Sequence, residues 1–172
     1  MKDIIEKLTS LNRTISTMES CTGGGVANAI TNIPGASSVL KFSAVTYSNE
    51  FKIKMGVSSD VIDKYSVYSI ETANEMSKCI CSFTGSDYGV GITGKLNRVD
   101  KDNLFGKDNV VFISIYDSIN DKFFTYDIEV KEKSRKLNKD VVIDLVIEKL
   151  SEIIEWFYDK KMIKINEKLL SS

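Results

Sequence analysis

The spacing of apolar residues predicts that helices and strands alternate along the chain. Residues 14–18, rich in β-branched side chains, predict a strand, and the glycines that follow predict a sharp turn into a helix over about 23–32. Residues 3–12 predict an amphipathic helix before that strand, because apolar side chains recur there at helical spacing. These apolar residues are Ile4, Ile5, Leu8 and Leu11.

The middle of the chain repeats this alternation. Residues 39–47 predict a second strand and residues 51–55 a short helical stretch. Ser59 and Ser69 are suited to cap helices that begin just after them, the second of which extends to about residue 83. One stripe of that helix should carry Thr72, Met76 and Ile80.

Residues 88–93 predict a strand in which Gly89 and Gly91 leave room for the close approach of another element. Residues 110–116 and 123–130 predict an antiparallel hairpin. Helices interspersed with strands, followed by a hairpin, favour an α/β domain with a mixed sheet covered on both faces.

A long helix over about 134–158 should close a single domain that spans residues 1–172, and we expect residues 159–172 to fray. The residues expected to face inward are Leu137, Val141, Leu145, Ile153 and Trp156. Residues 94–108 are polar and highly charged, so they predict a long exposed loop that is also a candidate for function.

Composition and charge narrow the classes of function. The chain is 42% hydrophobic and 27% charged with a formal charge of -1, so no overall field attracts nucleic acid or an anionic membrane. The amino terminus lacks the apolar segment of a signal peptide, and charges interrupt the apolar stretch at 141–157. We therefore expect a soluble, cytoplasmic protein without a nucleic-acid or membrane partner.

The chain contains no histidine, which excludes Ser-His-Asp and Cys-His catalysis and histidine-ligated zinc. Any general base must be Lys, Asp, Glu or Tyr. Cys21, Cys79 and Cys81 are an odd number without paired C-x-x-C arms, so we expect neither a disulfide framework nor a metal site. Cys79 and Cys81 fit a packed helix better than a pair of ligands.

Ser20 follows the first strand at the turn into a glycine-rich helix start. This geometry exposes a hydroxyl and aims backbone N–H groups at a bound anion or a developing oxyanion, although a glycine turn with a serine cap is the simpler alternative. Tyr47 and Lys52 follow the second strand, where they are either ordinary surface residues or part of one site with Ser20.

A serine hydroxyl needs a proton acceptor, and in this chain the candidate is a neutral lysine. The site would have to lower the lysine pKa from about 10.4 to roughly 7–8, at a cost on the order of 4 kcal/mol. Burial beside Phe51 and Met55 could provide this shift, with Tyr47 relaying the proton or holding the amine.

Four segments then occur in a recognisable order: TMESCTGG at 17–24, IPGAS at 33–37, TYSNEFK at 46–52 and MGV at 55–57. Together they resemble the signature of the CinA C-terminal domain family, which includes stand-alone nicotinamide mononucleotide deamidases. The similarity continues through VYSIETANEM at 67–76, one residue longer than the family's usual pattern, through GITG at 91–94, and more weakly through residues 135–139.

The resemblance implies a three-layer α/β/α sandwich and an amidohydrolase that needs no metal or cofactor. Ser20 would be the nucleophile, Lys52 its base and Tyr47 a partner, converting nicotinamide mononucleotide to nicotinate mononucleotide and ammonia. We expect a small-molecule substrate and a homo-oligomer. The expected substrate-binding residues are Thr22, Gly23, Gly24, Asn49, Thr93, Gly94, Lys95, Arg98 and Arg135.

One departure concerns the segment after Gly94, where the family has a glycine- and proline-rich loop and this chain has KLNRVDKDN at 95–103. Side chains such as Lys95 and Arg98 would there block a close backbone approach or replace backbone donors, or they are simply solvated. The alternative to an amidohydrolase is a non-catalytic nucleotide- or partner-binding protein with the same fold. A redox or metal protein built on the cysteines has little support.

Overall fold

The computed structural model describes residues 2–101 and 103–170. The helices are α1 (Lys2–Leu11), α2 (Gly25–Thr31), α3 (Asn49–Lys54), α4 (Ser59–Tyr65), α5 (Ile70–Thr84) and α6 (Arg135–Leu170). The strands are β1 (Ile15–Glu19), β2 (Leu40–Val45), β3 (Tyr88–Gly94), β4 (Val110–Asp117) and β5 (Lys122–Glu129). A 3-10 turn, Ala36–Ser38, precedes β2 and was not predicted.

The five strands form one mixed sheet in the order β2-β1-β3-β4-β5. Strand β1 is parallel to both β2 and β3, whereas β4 and β5 are antiparallel additions that form the predicted hairpin. Since β1, β2 and β3 run in the same direction, their carboxyl ends lie at one edge of the sheet. Ligand sites of open α/β sheets lie at that edge.

Helices cover both faces, which confirms the predicted three-layer α/β/α arrangement. The larger core cluster packs α1, α2 and α6 against one face, around residues such as Ile15, Val90 and Ile113. The smaller cluster packs α4 and α5 around Met18 on the other face. All five residues of β1 are buried, as expected for a strand with helices on both sides.

Helix α5 lies directly on β3, as the two glycines of that strand predict. A Cβ atom added to Gly89 would lie 2.0 Å from the carbonyl oxygen of Ser77, and one added to Gly91 would lie 2.3 Å from that of Ala73. The Ser69 side chain caps α5 by accepting a hydrogen bond from the Thr72 N–H at 3.1 Å, again as predicted. Ser59, by contrast, is the first residue of α4 and not its cap.

Helix α6 differs from its prediction in register and in length. Its buried stripe contains Val142, Val146, Leu150, Ile153 and Ile154, whereas Leu137 and Trp156 are nearly half exposed. Ile153 was predicted correctly, but Val141 and Leu145 are each one position before a fully buried valine. The apolar residues of this helix occur in runs, so neighbouring stripes fit the same pattern. The helix also continues to Leu170 instead of ending near residue 158, while residues 171–172 of the expected fraying tail lie outside the described residues.

The predicted loop over residues 94–108 is only partly exposed. Lys95 and Leu96 are both buried, since they follow β3 directly into the interior. Asp102, one of the loop charges, lies outside the described residues. Within the described ranges, no helix has the length and apolarity required to cross a membrane.

Candidate active site

A cavity of about 1040 Å³ lies at the carboxyl ends of β1, β2 and β3. The cavity therefore lies at the edge of the sheet where we considered that the loops after the first and second strands could meet. Its lining includes nine of the residues singled out from the sequence or the resemblance: Ser20, Cys21, Tyr47, Asn49, Lys52, Gly94, Lys95, Arg98 and Arg135.

Ser20 and Lys52 are in direct contact, so the alternative in which Lys52 is an ordinary surface residue is wrong. The Lys52 amino group lies 3.2 Å from the Ser20 hydroxyl and donates a second hydrogen bond to the carbonyl of Thr46 at 2.7 Å. Ser48 caps α3 by accepting from the Phe51 N–H, and this helix start turns Lys52 inward toward β1. The fold therefore brings the candidate nucleophile and the candidate base within hydrogen-bond distance of each other.

Burial controls the chemistry of this lysine. Lys52 is 1% exposed, and removal from water lowers its pKa to about 8, while the nearby Cys21 side chain acts in the opposite direction. Desolvation disfavours the charged form of a lysine. A substantial fraction of Lys52 is therefore neutral near physiological pH, which is the state that accepts a proton.

Glu19 is a functional candidate that the sequence reasoning missed. It ends β1, is fully buried, and its carboxylate accepts hydrogen bonds from the Thr22 hydroxyl at 2.7 Å and from the N–H groups of Val26 and Ala27 at 3.1 and 2.9 Å. An acidic residue that closes an otherwise buried strand was the available signal. The first amides of α2 are thus occupied by Glu19, contrary to the expectation that they point at a ligand.

Three other predicted binding residues lie in the turn after Ser20 and do not line the cavity. Gly23 and Gly24 adopt left-handed conformations, with φ of 64° and 88°, which few other residues adopt without strain. The Thr22 hydroxyl is bonded to Glu19, so it organises the turn instead of facing the cavity.

Thr93 also serves the fold rather than the cavity. Its hydroxyl is fully buried and donates to the carbonyl of Val67 at 2.9 Å, which ties β3 to the segment before α5. The following residue, Gly94, does line the cavity. Thr93 was predicted to bind the substrate, but it is fully buried and does not line the cavity.

Tyr47 is placed differently from its predicted role as a proton relay. The side chain is 63% exposed, and its hydroxyl accepts a hydrogen bond from the Arg135 guanidinium at 2.9 Å. Among the described residues, Tyr47 forms no hydrogen bond with either Ser20 or Lys52. Tyr47 and Arg135 together form one wall of the cavity.

Lys95 is not the solvated loop cation that its sequence context allowed. Its side chain is 1% exposed, pairs with the Asp108 carboxylate at 2.9 Å and lies 5.2 Å from the centre of the Tyr68 ring. The Tyr68 hydroxyl in turn donates to Asp100, and burial is the main cause of its raised pKa. The loop after β3 is thereby anchored to the segment before α5.

The cavity is predominantly cationic. Its charged lining residues are Lys52, Lys95, Arg98, Asp100, Lys101 and Arg135. Arg98 and Arg135 are the exposed arginines of this lining, so both are accessible to an anionic ligand. An imbalance of this sign attracts a phosphate.

The three cysteines differ in burial but share a protonated state. Burial raises the pKa of the Cys21 thiol to about 12 and those of Cys79 and Cys81 to about 11. Such thiols are poor nucleophiles. Within the described ranges, no group of three or more Cys, Asp or Glu side chains is placed to hold a metal ion.

Comparison with known proteins identifies the same family as the sequence resemblance. Residues 1–154 match the model of the CinA C-terminal domain. A CinA-like protein of Endomicrobium trichonymphae is 36% identical over 142 residues, which is 80% of this chain and 32% of that protein. The chain thus spans about a third of the length of this curated relative.

Solved structures agree at the level of the fold. The competence/damage inducible protein CihA from Agrobacterium tumefaciens superposes with a TM-score of 0.78 at 26% identity, covering 87% of this chain and 90% of that one. A CinA superfamily protein from Klebsiella pneumoniae gives 0.81 at 20% identity, covering 90% and 94%. With a family model matched over most of its length, the chain belongs to the CinA C-terminal domain family.

Proposed function

We propose that this chain is an amidohydrolase in which Ser20 is the nucleophile and Lys52 the general base. The observation that carries the proposal is the buried contact between the Lys52 amino group and the Ser20 hydroxyl at 3.2 Å. A surface lysine would be protonated and unable to accept a proton, whereas burial lowers the pKa of Lys52 to about 8. Nucleophile and base are thus adjacent and close to the required protonation states.

The chemical step follows from this pair. The Ser20 oxygen attacks the amide carbon as its proton passes to neutral Lys52, and the tetrahedral adduct carries the negative charge on the former carbonyl oxygen. Protonated Lys52 then gives this proton to the departing nitrogen, so ammonia leaves and an ester on Ser20 remains. Water, deprotonated by Lys52, then attacks that ester, and Lys52 returns the proton to the departing Ser20 oxygen, which restores both the serine hydroxyl and the neutral lysine.

The substrate class follows from charge and from the family resemblance. The cationic residues of the cavity lining favour a substrate with a phosphate, and Arg98 and Arg135 are the accessible candidates to bind it. The resemblance to nicotinamide mononucleotide deamidases points to the same class, a primary amide on a phosphorylated riboside. Nicotinamide mononucleotide is therefore the proposed substrate, with nicotinate mononucleotide and ammonia as products.

A second candidate is a nucleotide- or partner-binding protein without catalysis. One observation favours it: the loop after Gly94 lacks the family's glycines, and Lys95 and Asp100 line the cavity in their place. Side chains at these positions restrict how closely a ligand approaches the backbone. This candidate retains the cavity but releases no ammonia.

The decisive experiment measures ammonia release from nicotinamide mononucleotide by the purified chain and by Ser20→Ala. The proposal predicts release by the wild type and loss of at least about a hundredfold in kcat for the variant, with an unchanged melting temperature. Ser10→Ala, which removes an exposed hydroxyl on α1, is the matched control and should retain full activity. Binding of the mononucleotide without ammonia release by the wild type would favour the second candidate.

A further inference from the structure

The carboxylate of Glu19 is fully buried and is satisfied entirely by hydrogen bonds. Besides the bonds from Thr22, Val26 and Ala27, it accepts one from the Thr17 hydroxyl at 3.3 Å. Among the described residues, no lysine or arginine forms an ion pair with it. A buried carboxylate depends on such hydrogen bonds, and here four donors from both sides of the Ser20 turn converge on one side chain.

These bonds lie on both sides of the turn that carries Ser20. The turn itself contains two glycines in left-handed conformations, Gly23 and Gly24, and glycines leave a backbone free to move. The Glu19 side chain joins the turn, at Thr22, to the first amides of α2, at Val26 and Ala27. One carboxylate therefore restrains a segment that its own glycines leave loose.

The main chain of Glu19 extends this connection to the base. The Glu19 carbonyl accepts a hydrogen bond from the Thr46 N–H at 2.9 Å, and the Thr46 carbonyl accepts one from the Lys52 amino group at 2.7 Å. Lys52 then contacts Ser20, the residue that follows Glu19. Glu19, Thr46, Lys52 and Ser20 thus form a closed ring of covalent and hydrogen bonds.

We propose that Glu19 is a positioning residue, whose carboxylate holds the Ser20 turn so that the hydroxyl stays within hydrogen-bond distance of Lys52. This inference rests on the proposed function, because it assigns the positioning to that reaction. A hydrogen bond at 3.2 Å is already long, and displacement of the turn by a few tenths of an ångström would break it. Glu19 does not contact the substrate or accept its protons.

The test compares Glu19→Gln with Glu50→Gln, the same change at an exposed carboxylate of α3 that pairs with Lys54. The glutamine keeps the size of the side chain, but its NH₂ group donates, so it accepts fewer of the four bonds. We expect kcat to fall at least about tenfold for Glu19→Gln with KM within about twofold, and no change for Glu50→Gln.

A readout independent of amide hydrolysis is the rate at which a fluorophosphonate probe labels Ser20, followed by mass spectrometry. Positioning predicts a fall in this rate by a factor similar to that in kcat. If Glu19 is only a helix cap, the folded Glu19→Gln variant has the wild-type rate of Ser20 labelling and the wild-type kcat, and the inference is wrong.

If Glu19→Gln does not fold, Thr22→Val removes the shortest of the carboxylate's bonds and leaves the two α2 amides satisfied. We expect a smaller fall in labelling for this variant, about threefold or more, and an unchanged rate would overturn the inference. If the probe labels wild-type Ser20 but the protein releases no ammonia, the proposed function is wrong. The labelling rates of the variants then still test whether Glu19 positions Ser20. A wild type that is neither labelled nor releases ammonia would contradict both.

Discussion

The amino group of Lys52 is anchored on the main-chain carbonyl of Thr46, at 2.7 Å. A neutral amine has two N–H donors and one lone pair, so donation to this carbonyl leaves the lone pair free to face the Ser20 hydroxyl. The anchor therefore orients the amine as an acceptor without an aspartate or a histidine. It also explains how a chain without histidine could activate a serine.

Replacing Lys52 with arginine should abolish the proposed hydrolysis although it preserves the charge. A guanidinium remains protonated at any accessible pH and cannot act as a base. We expect kcat to fall by about two to four orders of magnitude, the usual contribution of a general base. Lys54→Arg, two residues further along α3 at an exposed position, is the matched control and should be fully active.

An Lys52→Arg variant that keeps more than about a tenth of the wild-type kcat would show that Lys52 holds the substrate by its charge instead of moving a proton. The steady-state assay with nicotinamide mononucleotide distinguishes the two results.

The buried lysine should also be visible in the stability of the fold. Its pKa is lowered from 10.5 in the unfolded chain to about 8 in the folded one, so between these values the unfolded state binds the additional proton. The free energy of unfolding should therefore rise with pH across this window.

Lys52→Met removes this dependence, which makes it the natural comparison. Relative to the variant, the wild type should gain about 3 kcal/mol in the free energy of unfolding as the pH rises from about 7 to above 10.5. Urea denaturation of both proteins across this range measures the difference. Parallel pH profiles for the two proteins would mean that Lys52 titrates normally in the folded state.

The residues that the sequence located correctly are those whose positions follow from strand ends. Ser20 and Lys52 lie after parallel neighbouring strands, and strands that run in the same direction bring their carboxyl ends together. The mixed sheet and the close approach of α5 to Gly91 were also predictable, because they depend on the order of the elements and on glycines within a strand pattern.

Some other expectations differ from the structure because tertiary contacts decide them. Lys95 was expected to bind the substrate or to be solvated, and its buried amino group instead pairs with Asp108. The hydroxyls of Thr93 and Thr22 are also suited to bind a ligand. In the structure, Thr93 donates to the Val67 carbonyl and Thr22 donates to the Glu19 carboxylate. Sequence alone does not show which acceptor lies nearest.

Arg98 and Arg135 should determine affinity for the phosphate. We expect the double variant Arg98→Ala/Arg135→Ala to raise KM for the mononucleotide at least about tenfold while KM for nicotinamide riboside changes little, since the riboside lacks the phosphate. The difference should shrink at high salt, because both side chains are exposed.

Lys107→Ala is the control for charge alone. Lys107 belongs to the same loop as Arg98, but it pairs with Glu129 and does not line the cavity. Equal effects on phosphorylated and unphosphorylated substrates would assign the phosphate to other groups.

Tyr47→Phe should have a moderate effect. Its hydroxyl accepts from Arg135, so its loss frees the guanidinium and should raise KM about threefold to tenfold while kcat changes by less than about threefold. A fall in kcat as large as that of Lys52→Arg would instead show that Tyr47 moves close enough to relay the proton when substrate is bound. Steady-state kinetics of the two variants side by side gives this comparison.

The most direct test of the account is the pH dependence of kcat/KM for nicotinamide mononucleotide in the wild type, between about pH 6.5 and 10. A neutral Lys52 as base predicts that kcat/KM rises about tenfold per pH unit at low pH and levels off above a pKa of about 8. A flat profile through this range, or one that continues to rise to a normal lysine pKa, would contradict the assignment of Lys52 as the base that activates Ser20.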